Sequence, residues 1–204
     1  MMVLAFVTNV CPHLCPRCLT ASGPRNRNSL GPSDFAGVRD DFIHLCGGEP
    51  LVNSAIGDVM ETIFSQNNDC LLYTSLPYDF DRAVLHMAED WPRLKFRLST
   101  SEYLLEHNPG HVVRTCQVYR YLKNLGRDVG ISGYDRTVEY FPQSYGAVRT
   151  PSSLSGRCKK IPDDPYDVGP KMDVIYSDGT RGEERLIRAH YLEAQKSVHL
   201  TSSS

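Results

Sequence analysis

The chain has 204 residues, of which 41% are hydrophobic and 23% charged, a composition that excludes global disorder. With 22 basic and 24 acidic side chains the formal net charge is −2, which leaves no electrostatic footprint for nucleic acid or an anionic membrane. No apolar run approaches the ~20 residues of a membrane span, and at roughly 150 residues per domain the length fits one or two domains.

In chain order, Val3–Val7 is a short apolar run suited to a strand buried on both faces. Met1–Asn9 lacks a basic region and a small-residue cleavage site, so it reads as the first strand rather than a secretory leader. Pro12 and Pro16 forbid a regular helix in the segment that follows. Residues 22–34, rich in Ser, Gly, Pro, Asn and Arg, form a loop. Phe42–Cys46 is a second buried strand, ended by Gly47-Gly48. Ala55–Phe64 has helical spacing, with Ile56, Val59, Met60, Ile63 and Phe64 on one face. A third strand at Cys70–Thr74, a helix at Phe80–Glu89 and a fourth strand at Leu94–Ser99 follow. His111–Leu125 is a helix stopped by Gly126, and Val129–Tyr134 is a fifth strand. Residues 142–170 carry five prolines and read as irregular. Met172–Tyr176 and Glu184–Ile187 flank Asp178-Gly179, a hairpin turn, and Leu186–Gln195 reads as a last helix.

Strands alternating with helices at these spacings imply an α/β fold with a parallel sheet. A full eight-unit barrel needs about 250 residues, so the expected architecture is a partial (β/α)6-type open barrel. Residues 1–141 form the core. Residues 142–204 form a C-terminal extension that packs on it and contains the hairpin, with a disordered tail at 201–204.

On the fourth strand, Lys95, Arg97 and Ser99 share one face, and Leu94, Phe96 and Leu98 share the other. Either the polar face lines the lumen, where two cations need an anion such as a carboxylate, or the strand is an edge with a wet face.

Three of the seven cysteines fall close together in Cys11-Pro-His-Leu-Cys15-Pro-Arg-Cys18. A disulfide framework spreads its cysteines more evenly, so this cluster points to metal or redox chemistry in a reducing compartment, and the expected location is cytoplasmic. Thiolates ligate soft metals and iron–sulfur clusters. No fourth cysteine nearby completes a structural zinc site; His13 is the one other ligand in the loop, in poor geometry. Three thiolates on a four-iron cluster leave one iron open, as catalytic sites do. The second feature is Gly47-Gly48-Glu49-Pro50 at the C-terminal end of the second strand, the active face of a β/α fold. Glycines there let backbone approach a ligand, and Glu49 can pair with an ammonium group.

Together these segments resemble the radical S-adenosylmethionine superfamily, whose pattern is Cys-x3-Cys-x2-Cys after the first strand and Gly-Gly-Glu-Pro after the second. The resemblance spans residues 3 to about 134 and makes residues 1–141 a radical S-adenosylmethionine core. It implies a [4Fe–4S] cluster on Cys11, Cys15 and Cys18, whose open iron chelates the methionine end of S-adenosylmethionine. Gly47, Gly48, Glu49 and Pro50 would hold the amino group. Ser99 and Ser101, with Glu102 beside them, match the ribose-contacting end of the fourth strand. Ile131 and Gly133 resemble an adenine-side Ile-x-Gly, although Arg136 stands where an acidic residue tends to follow. Arg97 would meet the cofactor's carboxylate. Arg17 replaces the aromatic residue usual before the third cysteine, and its guanidinium plane can still stack on adenine.

The implied activity is an oxidoreductase-type radical reaction: reductive cleavage to methionine and a 5′-deoxyadenosyl radical that takes hydrogen from a small molecule, a peptide or a partner protein. A flavodoxin- or ferredoxin-like donor would supply the electron. The rival reading is a non-catalytic iron–sulfur or zinc protein, binding a partner or carrying an electron on a degenerate version of the fold. Cys46, Cys70, Cys116 and His44 read as core residues. Cys158 alone cannot build a second cluster, Tyr134 and Asp135 are substrate-facing or cap residues, and Lys159-Lys160 is a solvated patch.

Overall fold

The structure is a computed structural model that describes residues 2–15, 18, 22–39, 41–77, 80–133, 136–149 and 168–187. Eight strands form one sheet: β1 (Met2–Thr8), β2 (Phe42–Gly47), β3 (Asp69–Thr74), β4 (Lys95–Thr100), β5 (Val129–Gly133), β6 (Val148–Arg149), β7 (Val168–Ile175) and β8 (Arg181–Ile187). Their spatial order is β6-β5-β4-β3-β2-β1-β7-β8. Every neighbouring pair is parallel except β7 with β8, which form an antiparallel hairpin around Asp178-Gly179. The result is a mixed α/β fold dominated by parallel pairing, and among the described residues no pair joins β6 to β8 to close it.

Among the described residues four α-helices connect the strands: α1 (Ile56–Ser65), α2 (Asp81–Asp90), α3 (Glu102–His107) and α4 (His111–Asn124). Strands in chain order from β1 to β6, joined by right-handed crossovers, put their helices on one face. One core cluster accordingly holds Val3, Ala5 and Val7 of β1, Ile43 and Leu45 of β2, Leu72 of β3, Phe96 and Leu98 of β4 and Ile131 of β5. The same cluster takes in Val59, Met60 and Ile63 of α1, Val84 of α2 and Val118 and Leu122 of α4. Cys70 is fully buried in this cluster, which agrees with its reading as core.

The opposite face changes character across the sheet. At β7 and β1 it is apolar, with Leu4 and Val174 buried and Met2, Phe6, Cys46 and Tyr176 packed on them. In the middle it is aromatic: the rings of Phe42 and His44 lie 5.1 Å apart, and those of His44 and Tyr73 6.0 Å apart. At β4 it carries Lys95 and Arg97, only 4% and 7% exposed. β4 lies between β3 and β5, so the edge-strand alternative for its polar face does not hold.

Where sequence and structure differ, the differences are local. The one-turn-and-a-half helix α3 was not expected, because Glu102–His107 is too short to show a periodicity. Residues 143–149, read as irregular, contain a short 3-10 turn at Gln143–Tyr145 and the two-residue strand β6. The helix read from Leu186 begins inside β8, and its remainder lies outside the described residues. So do Arg17, Tyr134, Asp135, Cys158, Lys159-Lys160 and the tail 201–204. Among the described residues no helix is long and apolar enough to cross a membrane.

Candidate functional site

Parallel strands end together, and the loops after them share one rim of the sheet. The cysteine segment leaves β1 there, and Cys11, Cys15 and Cys18 on it are all of intermediate exposure. Residues 22–30 return alongside it. Cys11 N–H donates to Gly23 O (3.2 Å), Gly23 N–H to Asn9 O (3.2 Å) and Leu30 N–H to Val7 O (2.7 Å). Buried Asn53 holds the same return segment by donating to Leu30 O at 2.8 Å.

The Gly47–Pro50 loop is fastened directly to this segment. Gly48 N–H donates to Thr8 O (2.6 Å) and Glu49 N–H to Val10 O (2.9 Å). The glycines are there for that approach. A Cβ on Gly48 would collide with the Val10 carbonyl, and one on Gly47 would lie 2.5 Å from Thr8 O at a φ of +116°. So the close approach read from the two glycines is met first by the backbone that carries the cysteines.

The Glu49 side chain is 1% exposed and accepts four hydrogen bonds. Its Oε1 accepts from Thr74 Oγ1 (2.8 Å) and Leu51 N–H (3.3 Å); its Oε2 accepts from Ser75 N–H (2.8 Å) and Ser75 Oγ (2.6 Å). Burial raises its pKa, and the donors from Ser75, Thr74 and Leu51 oppose that rise. Pro50 opens the 3-10 turn Pro50–Val52 that Glu49 caps. Thr74 and Ser75, at the end of β3, are site-building residues that the sequence reading missed. Hydroxyls beyond a strand end carry no signal until the carboxylate they meet is known.

Burial pushes the Cys11 thiol up to about 12; the His13 backbone amide opposes this, while Glu49, Cys15 and Cys18 add to it. Glu49, Cys15 and Cys18 are therefore near enough to Cys11 to bear on its charge. Among the described residues no three His, Cys, Asp or Glu side chains are grouped as a single metal ion requires.

Ser99 and Gly133 stand on the same rim, where register pairs Ser99 with Ser132 and Thr100 with Gly133. Ser101 caps α3 by accepting from Leu104 N–H at 3.2 Å. The Ile131 side chain instead lies in the helix-side core. Arg97 does not reach the rim either. Its Nη1 donates to Phe96 O (2.9 Å) and to Asp128 Oδ1 (3.2 Å), and Asp128 precedes β5, at the opposite end of the sheet. The carboxylate that the polar face of β4 requires is the chain's own. Lys95 sits 5.0 Å above the Phe42 ring, and burial lowers its pKa.

No protein-family model and no curated protein matches the chain. Solved structures do. Streptococcus suis SuiB bound to S-adenosylmethionine aligns with a TM-score of 0.53 at 16% identity, over 68% of this chain and 35% of SuiB. The same protein bound to precursor peptide SuiA aligns with a TM-score of 0.54 at 16% identity, over 68% and 34%. The chain shares this fold. It spans about a third of SuiB's length.

Proposed function

We propose that this chain is a radical S-adenosylmethionine enzyme core that carries a [4Fe–4S] cluster on Cys11, Cys15 and Cys18 and acts on a peptide. The observation that carries the reading is the fastening of the Gly47–Pro50 loop onto the backbone that leads into the cysteine segment, through Gly48 N–H on Thr8 O and Glu49 N–H on Val10 O, at the C-terminal rim of a parallel sheet. Likeness of fold to a protein solved with S-adenosylmethionine bound supports it, and that protein's structure with precursor peptide SuiA favours a peptide among the substrate classes.

The residues fit such a group. Three soft thiolate donors on one loop suit iron–sulfur ligation. When bound, the cluster supplies the electron that cleaves S-adenosylmethionine to methionine and a 5′-deoxyadenosyl radical. The protein's part is placement. Backbone at Gly47, Gly48, Glu49 and Pro50, fixed by the hydrogen bonds of the buried Glu49 carboxylate, would hold the methionine end. Ser99 and Ser101 would hold the ribose, and the backbone at Ile131 and Gly133 would border the adenine. The aromatic and apolar face formed by Phe6, His44, Tyr73 and Tyr176 receives the substrate and excludes water. Electron supply falls to a flavodoxin- or ferredoxin-like partner.

The test is anaerobic. The protein is reconstituted with iron and sulfide, reduced and given S-adenosylmethionine, and 5′-deoxyadenosine is measured beside Cys15→Ala. Product that vanishes in the variant is expected. A full cluster that neither binds S-adenosylmethionine nor yields product, with or without peptide, would overturn the enzyme reading in favour of an electron-carrying or binding protein.

A further inference from the structure

We propose that His13 is the positioning residue of the cysteine loop and that Tyr103 of α3, stacked on His107, forms the socket that holds it. The inference rests on the cluster reading above for its meaning, and on the following geometry for its content. Exposure alternates along the loop. Pro12 and Leu14 face solvent, Leu14 at 56%, while Cys11, His13 and Cys15 are turned inward. His13 is thus the one inward side chain between the first two thiols.

What it meets is aromatic. Its ring stands edge-on to Tyr103, with centroids 6.2 Å apart and planes at 68°. Tyr103 in turn stacks on His107 at 4.1 Å and 13°, and His107 Nδ1 lies 2.9 Å from Tyr103 O. Edge-to-face and stacked rings at these distances attract beyond their buried area. The His13 Nε2 is enclosed without a hydrogen-bond partner among the described residues.

The column has a mechanical consequence. β1, β2 and the 22–30 return segment fasten the loop at its base, near Thr8, Val10 and Cys11. The ring column fastens it between Cys11 and Cys15, and it does so from α3, whose first turn is capped by Ser101 directly after β4. The loop that carries the thiols and the strand end that carries Ser99 and Ser101 are therefore held at a fixed separation by one stack of side chains.

The experiment compares His13→Ala, His13→Phe, Tyr103→Ala and Tyr103→Phe with the wild type. All are checked for native circular dichroism. The readouts are iron and sulfide per chain after anaerobic reconstitution, the electron paramagnetic resonance spectrum of the reduced protein, and amide hydrogen exchange of residues 9–18 in the metal-free protein. Both alanine variants are expected to load at least five-fold less iron, or to give a shifted spectrum, and to exchange about ten-fold faster in the loop. Both phenylalanine variants, which keep a ring, are expected to stay close to the wild type. Alanine variants that match the wild type in loading, spectrum and exchange would overturn the socket. So would His13→Phe failing as badly as His13→Ala, which would make His13 a ligand instead. A wild type that takes no cluster sinks the cluster reading alone, because loop exchange in the metal-free protein still tests the socket.

Discussion

Glu49 brings a carboxylate into the core, and four donors from Thr74, Ser75 and Leu51 make that tolerable. Removing it strands all four. Glu49→Ala is expected to lower unfolding stability by about 3 kcal/mol in a denaturant titration, since each orphaned buried donor carries its own desolvation cost. Glu49→Gln keeps one acceptor but turns an amide N–H2 toward other donors, so an intermediate loss is expected. His111 gives a second residue-scale expectation. It is 2% exposed, and its pKa is lowered to about 4 by burial, with Arg114 and His13 adding to the shift and Asp81 and the Ser99 backbone opposing it. Below pH 6.5 the unfolded chain binds a proton there that the folded chain refuses, so stability falls with pH down to about 4. A drop of that size corresponds to roughly 3 kcal/mol. Glu49, with its pKa raised, contributes slope of the opposite sign, so the quantity to read is the difference between wild type and His111→Gln. No difference in the pH dependence of their urea midpoints between pH 6.5 and 4 would refute the assignment.

At the scale of elements, α3 shows how a short helix escapes sequence reading and still matters. Glu102–His107 has one buried residue, Leu104, and no apolar stripe. What fixes it is the Ser101 cap, the ring stack of Tyr103 on His107, and the following turn in which His111 N–H donates to Asn108 O at 3.0 Å. Ser101→Ala is expected to cost about 1 kcal/mol, the usual worth of an N-cap, and to speed amide exchange in α3 more than in α4. Equal exchange in both helices would show that the cap is not what holds α3. The longer elements behave otherwise. α1 and α2 carry their apolar faces openly in the sequence, and their limits differ from expectation by a residue at each end.

For the whole molecule, the fastening of one loop to another decides the site. Gly48 N–H on Thr8 O and Glu49 N–H on Val10 O join segments about 40 residues apart. Gly48→Ala drives a methyl into the Val10 carbonyl. It is expected to cost about 3 kcal/mol by backbone displacement, and to lower iron loading even where the variant still folds. Gly57→Ala in α1, where a Cβ meets nothing within 4 Å, is expected to be stabilising and serves as the control; equal losses in the two variants would remove the argument. The sequence by itself determined the alternation of strands and helices, the parallel pairing, the two motifs and their shared rim, because apolar runs and glycine or proline punctuation are local signals. It could not determine where Arg97 points. That depends on Asp128, a neighbour only once β5 lies beside β4, and the pairing draws the guanidinium away from the rim. Nor could it find Thr74, Ser75 and Tyr103 as builders of the site, since each acts on a residue distant in the chain. Buried polar groups must find partners, and which partners they find is fixed by tertiary packing rather than by neighbours in sequence.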